Sequence, residues 1–272
     1  MHMIDSIRKD DKPIVMGILN VTPDSFSDGG KFNSVDKALR HVEKMIAGGA
    51  DIIDIGGEST RPGYEMISAE AEIERVCPVI EAVKKNFSTP VSLDTYKASV
   101  AKSGIQAGVD MINDIWGLKW DDETIKKTMA EVVAAGDVGV VIMHNRWVVQ
   151  YNELIGDCIN DLEESLNIAE AVGIKKSKII LDPGIGFAKT TQNNLRVMKH
   201  LERFCDMGYP VLLGVSRKSM IGNTLNLPSE EREEGTIAAN VFGLMKGCRI
   251  FRVHDVQKNR RALDMTYAMM HA

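Results

Sequence analysis

Eight short runs rich in Val, Ile and Leu recur along the chain, at 14–21, 51–57, 90–96, 110–115, 139–144, 178–184, 210–216 and 249–255. Several are nearly continuous in apolar residues, the pattern of strands covered on both faces. Their spacing averages about 30–35 residues, the length of one strand–helix unit. The stretches between them carry helical periodicity. VDKALRHVEKMIAGGA sets Val35, Ala38, Leu39, Val42, Met45 and Ile46 on one stripe, and its Gly48-Gly49 pair predicts a helix stop. CINDLEESLNIAEAV and RALDMTYAMM repeat that stripe. Strands alternating with helices in this way form either a closed barrel or an open doubly wound sheet. The first run is not followed by a GxGxxG turn, and 272 residues suit a barrel. No linker or low-complexity tract divides the chain. The expected fold is α/β, a (β/α)8 TIM barrel, with residues 1–272 as a single domain.

Barrels of this type bind ligands where the strands end and the next loops begin. Polar residues collect there. Asn20 ends the first strand and Asp94 the third; Asn113-Asp114 ends the fourth and Met143-His144 the fifth. Asp182-Pro-Gly ends the sixth, Ser216-Arg217-Lys218-Ser219 follows the seventh, and Arg252, His254 and Asp255 belong to the eighth. Taken singly, each has a plain structural reading. Asp94 suits an N-cap, Arg252 a surface position, and Asp54 an internal hydrogen bond. Together they are costly to bury without a ligand. Asp94, Asn113 and Asp182 supply acceptors. Lys218 and Arg252, with Arg61 and Arg217 on nearby loops, supply cationic donors. The set suits a flat ligand with an N–H-rich edge, such as an aminopyrimidine, carrying a separate anionic group. The loops TPDSFSDGG and GESTRPG have the composition of lids.

The net charge of −5 argues against nucleic acid or an anionic membrane as a partner. Cys77, Cys158, Cys205 and Cys248 form no CxxC pair and suit a reducing compartment. The first residues lack a signal-peptide pattern, and no apolar run approaches the roughly 18 residues that span a bilayer. A cytoplasmic location is expected.

MGILNVTPDSFSDGG, DIIDIGGESTRPG, SLDTYKA, INDIWGL, DPGIGF, GVSRKSMIG and FRVHD occur in that order over roughly residues 14–257. This series closely resembles the motifs of the dihydropteroate synthases. The resemblance implies an enzyme, a transferase of folate biosynthesis. It would join 6-hydroxymethyl-7,8-dihydropterin diphosphate to p-aminobenzoate, with loss of pyrophosphate. It also implies residue roles. Asp94, Asn113, Asp182 and Lys218 would hold the pterin, with Met143 and Phe187 packed nearby. Asn20 would bind Mg²⁺ together with the diphosphate. Arg252 and His254, aided by Thr60, would hold the diphosphate itself. Ser219, Thr60, Arg61, Pro62 and Phe187 would form the p-aminobenzoate pocket. Phe26, Asp28 and Arg61 would belong to loops that close over the substrates. The chemistry implied is an SN1-like displacement that needs no side-chain nucleophile. Sulfonamide inhibition and a homodimer, joined through helices far from the mouth, are further implications.

Two segments depart from the family pattern. MHNRWVVQY lacks the Gly and Pro common after Met-His, and YEMISAEAEIER replaces a run of Glu. Two other readings compete. Corrinoid-linked pterin methyltransferases use a related barrel but lack STRPG and SRKS in this form. A barrel that binds pterin without turnover would be expected to have lost Asn20, Arg61, Lys218 or Arg252, and all four are present.

Overall fold

The structure is a computed structural model that describes residues 12–22, 31–58, 66–120, 122 and 127–272. Phe26, Asp28, Thr60, Arg61 and Pro62 lie outside the described residues. Eight strands run β1 Ile14–Asn20, β2 Ile52–Gly56, β3 Val91–Asp94, β4 Met111–Asp114, β5 Gly139–Met143, β6 Ile179–Asp182, β7 Leu212–Leu213 and β8 Ile250–Val253. All pair in parallel, in the order β6-β5-β4-β3-β2-β1-β8-β7. A further parallel bridge, Leu181 to Val211, joins β6 to the start of β7 and closes the ring. The expected barrel is the observed one.

The helices are α1 Lys31–Ala47, α2 Ala69–Asn86, α3 Ala98–Ala107, α4 Met129–Gly136, α5 Leu154–Ala171, α6 Thr191–Lys199, α7 Leu201–Cys205, α8 Ser219–Leu225, α9 Glu233–Met245 and α10 Val256–Met270. Alternation in the sequence predicts eight. Among the described residues there are ten, because two connections each hold a pair. His200, at φ −113° and ψ 27°, breaks the β6–β7 crossover into α6 and α7. The short α8 precedes α9 in the β7–β8 crossover.

Local chemistry accounts for several boundaries. The helix α1 buries Ala38, Val42 and Met45, and stops where Gly49 takes φ +96°. The amides of Gly49 and Ala50 then bond Ile46 O and Met45 O, each at 2.9 Å, which satisfies carbonyls the helix leaves open. Thr128 and Glu131 form a reciprocal capping box on α4. Asp255 caps α10 through the amide of Lys258 at 3.2 Å. Gly17, on the outer face of β1, lets two helices come close. A Cβ there would lie 2.8 Å from Met45 Sδ and 3.1 Å from Val256 Cγ2.

The strands divide the core by their two-residue alternation. Outward side chains such as Val15, Leu19, Ile53, Leu93, Ile112, Val140, Leu181 and Phe251 pack under the helices. Inward side chains Met16, Ile52, Met111, Val141, Ile180, Leu212 and Ile250 form a separate apolar plug across the barrel floor. All four cysteines are free thiols, with Cys158 and Cys248 buried. No helix among the described residues is long and apolar enough to cross a membrane.

Candidate active site

One alternation step above the floor, the inward positions turn polar. Ile52, Met111, Ile180 and Ile250 are followed two residues later on the same strands by Asp54, Asn113, Asp182 and Arg252, while on β1 the step from Met16 to Ile18 stays apolar and the polar residue is Asn20. On β3 the inward residues are Ser92 and Asp94, which the same period of two points inward. Strand register places Asn20, Gly56, Asp94 and Asn113 side by side around the mouth. It also places Met143 beside Asp182. A Cβ at Gly56 would meet this wall at ordinary contact distance, 3.5 Å from Asp94 Cβ and 3.9 Å from Asn20 Oδ1.

Arg252 organises the centre. Its Nε donates to Asp54 Oδ2 at 2.6 Å and its Nη2 to Asp94 Oδ2 at 2.5 Å. Asn113 Nδ2 donates to the same Asp54 oxygen at 3.3 Å. Asp54 therefore makes the internal hydrogen bonds expected of it, and Arg252 lies inside the barrel rather than on the surface. Asp94 is no helix cap, since Lys97 occupies the N-cap position of α3. Asp54 Oδ1, Ser92 Oγ and Asp94 Oδ1 are buried without a hydrogen-bond partner. Buried acceptors of this kind are ordinarily satisfied, so three in one place mark room for a ligand's donors. Burial raises the Asp94 carboxyl to about 7, with Arg252 opposing and Asp54 adding to the rise. Burial would lower the Arg252 guanidinium, but Asp54 and Asp94 outweigh it and hold the group charged.

Asp182 stands opposite. Its Oδ1 accepts from Gly184 N at 2.7 Å, and burial raises its carboxyl while Lys218 opposes. Gly184 turns the chain at φ +69°, and a Cβ there would overlap His144 O. That turn lays Phe187 over the mouth, beside Met143, Tyr96 and Ile115. Lys218 crosses the Phe187 ring, with Nζ 4.4 Å from its centroid, and donates to Ile185 O. Burial lowers the Lys218 ammonium to about 8, although Asp182 pulls the other way. His254 sits beside Ser216, whose Oγ lies 2.9 Å from Nδ1 and accepts from the His254 amide at 3.2 Å. Ser219 is exposed and begins α8.

Other polar strand-end residues have local work. Asp114 accepts from the amides of Trp116 (2.9 Å) and Leu118 (2.7 Å), so it shapes the turn after β4. His144 lies between Asp161 Oδ2 at 2.9 Å and Lys189 Nζ at 2.7 Å, and links the loops after β5 and β6. Arg217, at φ +58°, is turned toward Glu233 with Nε 3.8 Å from Oε2. Ser92 and Ser216 lie within SLDTYKA and GVSRKSMIG, but the resemblance gives neither a role; the period of two in SLD is what points Ser92 inward.

The described residues contain no group of three or more His, Cys, Asp or Glu able to hold a metal. Asn20 offers one hard carboxamide oxygen at the mouth. That donor set fits Mg²⁺, which commonly takes one or two protein oxygens and completes its shell from phosphates and water.

The pterin-binding enzyme family matches residues 16–254. A dihydropteroate synthase of Clostridium beijerinckii is 58% identical over 257 residues, 94% of each chain. A solved dihydropteroate synthase from Clostridium difficile, crystallised in the presence of pteroic acid, superimposes with a TM-score of 0.91 at 46% identity, covering 96% of this chain and 98% of that one. Another, from Xanthomonas albilineans with 4-aminobenzoic acid, gives 0.90 at 40% identity, covering 96% and 94%. With the polar mouth above an apolar floor, these likenesses place the chain in the pterin-binding enzyme family, among the dihydropteroate synthases.

Proposed function

We propose that this single-domain barrel joins a dihydropterin diphosphate to p-aminobenzoate through the residues at its mouth. The unpartnered buried acceptors Asp54 Oδ1 and Asp94 Oδ1 carry the reading. A pterin edge rich in N–H would satisfy them, and would spare the roughly 1–3 kcal/mol that each unmet buried polar group costs. Asp94, Asn113, Asp182 and Lys218 hold the ring. Met143 and Phe187 pack against it.

The diphosphate lies toward Arg252 and His254, aided by Thr60. Magnesium, held by the diphosphate and Asn20, would supply charge neutralisation to the leaving group. The bond from the pterin methylene carbon to the diphosphate oxygen breaks, and its electron pair leaves with pyrophosphate. Asp54, Asp94 and Asp182 surround the ring and favour the positive charge that remains. The aniline nitrogen of p-aminobenzoate then forms the new C–N bond and releases its proton to solvent. Ser219, Arg61 and Pro62 line the p-aminobenzoate pocket, and Phe26 and Asp28 belong to the other covering loop. The protein's contribution is orientation and electrostatics.

The chain acts as a homodimer in the cytoplasm. Phe242 and Met245 on α9, and Met265, Met269 and Met270 on α10, are exposed on two helices packed together away from the mouth. A cluster of large apolar residues at a surface suits a second copy. The four free thiols suit a reducing compartment.

The deciding experiment measures pyrophosphate release from 6-hydroxymethyl-7,8-dihydropterin diphosphate with Mg²⁺, with and without p-aminobenzoate. Formation of 7,8-dihydropteroate alongside pyrophosphate is the expected result. A folded protein that releases none would overturn the reading.

A further inference from the structure

Beside the mouth lies a second buried charge cluster that the reaction above does not use. Lys97, which follows β3, spends all three of its ammonium donors there. It donates to Glu58 Oε2, to Glu72 Oε2 at 2.8 Å and to Ile67 O at 2.8 Å. Tyr96 OH donates to the other Glu58 oxygen at 2.8 Å. The Ile67 amide donates to Glu58 Oε2 at 3.4 Å, and Arg75 Nη1 to Gly57 O at 2.9 Å. The side chains of Lys97, Glu58 and Glu72 are only 8%, 3% and 1% exposed.

Burying one ammonium with two carboxylates is a poor way to gain stability, because desolvation offsets most of the attraction. The partners suggest another use. Glu58, just before residues 59–65, and Ile67, two positions after them, are the near ends of the chain on either side, and Lys97 binds both. Glu72 anchors the same ammonium to α2. The span between those ends carries Thr60, Arg61 and Pro62. We propose that Lys97, through Glu58, Glu72 and Ile67, is a positioning residue that sets where this span leaves the barrel and so tunes use of p-aminobenzoate rather than of the pterin. The proposal rests on the assignment of Thr60, Arg61 and Pro62 to the p-aminobenzoate pocket. Lys97 itself touches no substrate. A misplacement of about 1 Å at a distance from the chemistry can cost on the order of 100-fold in rate, so the ends of a substrate loop are sensitive points.

The test uses the full chain carrying Lys97→Met, with steady-state kinetics in both substrates. Calorimetry of the pterin diphosphate and hydrogen exchange over residues 57–67 complete it. The expected result is a rise of about tenfold or more in KM for p-aminobenzoate with pterin affinity kept within about twofold. Exchange should quicken over 57–67 and stay unchanged in β6. An unchanged p-aminobenzoate KM in the folded variant would overturn the proposal. So would a parallel loss of pterin affinity, which would make the cluster a general support of the barrel. Should Lys97→Met fail to fold, Tyr96→Phe decides. It removes the phenolic donor to Glu58 Oε1, and the same split, at about threefold or more, supports the proposal; its absence overturns it. If the unaltered enzyme releases no pyrophosphate, the functional reading fails, whereas an exchange change confined to 57–67 still reports the anchoring.

Discussion

Ile180 and Asp182 lie two residues apart on β6 and point into the same barrel, yet their surroundings have opposite demands. Ile180 is fully buried among the apolar side chains of the floor. Asp182 is buried among groups that are charged and incompletely bonded, with Phe187 and Lys218 above it. The same contrast runs from Met111 to Asn113 on β4 and from Ile250 to Arg252 on β8. The floor closes the ring and stabilises the fold. The mouth carries three buried acceptors with no partner, so it costs stability in the absence of a ligand. One strand thus serves both ends because its period of two carries each inward position from the packed layer to the binding layer.

Arg252 is the residue most able to break that division, because it holds the mouth together as well as being proposed to face the diphosphate. Arg252→Met would leave Asp54 and Asp94 buried with no cation between them. Removing one partner of a buried ion pair costs about 3–5 kcal/mol. Thermal unfolding should therefore come at a clearly lower temperature. Turnover should fall by about 100-fold or more through loss of charge stabilisation at the leaving group. A variant as stable as the parent would show that Arg252 serves only the ligand.

Asp182→Asn sharpens the contrast from the mouth side. Pterin affinity measured by calorimetry should weaken by about 10³-fold, since a carboxylate accepting from the ring is replaced by a group that also donates. The unfolding temperature should barely move. Ile180→Ala tests the floor. Denaturant unfolding should show a loss of about 2–5 kcal/mol, while KM for both substrates in the folded variant stays near the parent's. Normal pterin affinity in the first variant, or a lost pterin site in a folded form of the second, would erase the division between floor and mouth.

The sequence carries the barrel well and the site in outline. Eight apolar runs at regular spacing are enough to count strands, and the strand ends point to Asp94, Asn113, Asp182, Lys218 and Arg252, which the fold brings together. What escapes the sequence is how each polar group is used. Asp114, Asp182 and Asp255 are all Asp at strand ends. Asp114 shapes a turn and Asp255 caps a helix, whereas Asp182 is inward on β6 beside Met143. Adjacent Arg217 and Lys218 part company because a positive φ at Arg217 turns its side chain toward Glu233. The Lys97 cluster draws on positions 39 and 25 residues away in the chain, a pairing no local pattern encodes. The divided crossover at His200 is equally silent, since the residues on both sides keep helical periodicity.

The smallest effect expected is one of pH, and it separates the two ends without a mutation. Asp94 titrates near 7 because burial disfavours its charged form, and Lys218 near 8 for the same reason. On the proposed reading Asp94 accepts ring N–H groups through both oxygens, and most strongly, when ionised, so pterin affinity should rise as pH climbs through 7. Lys218 contributes its charge only when protonated, so affinity should fall again above about 8. At one pH unit below its midpoint a carboxyl is about nine-tenths protonated, which makes binding at pH 6 roughly tenfold weaker than if Asp94 were fully ionised. Calorimetry from pH 5.5 to 9.5, corrected for the ligand's own titration, should give a narrow optimum between the two midpoints. The linked stability change has its own sign. A carboxyl raised above its unfolded value near 4 favours folding most at low pH, and that contribution is lost as pH rises through about 7. Ligand-free stability should thus decline across the interval in which pterin affinity climbs. An affinity flat from pH 6 to 9 would mean that neither Asp94 nor Lys218 meets the ring.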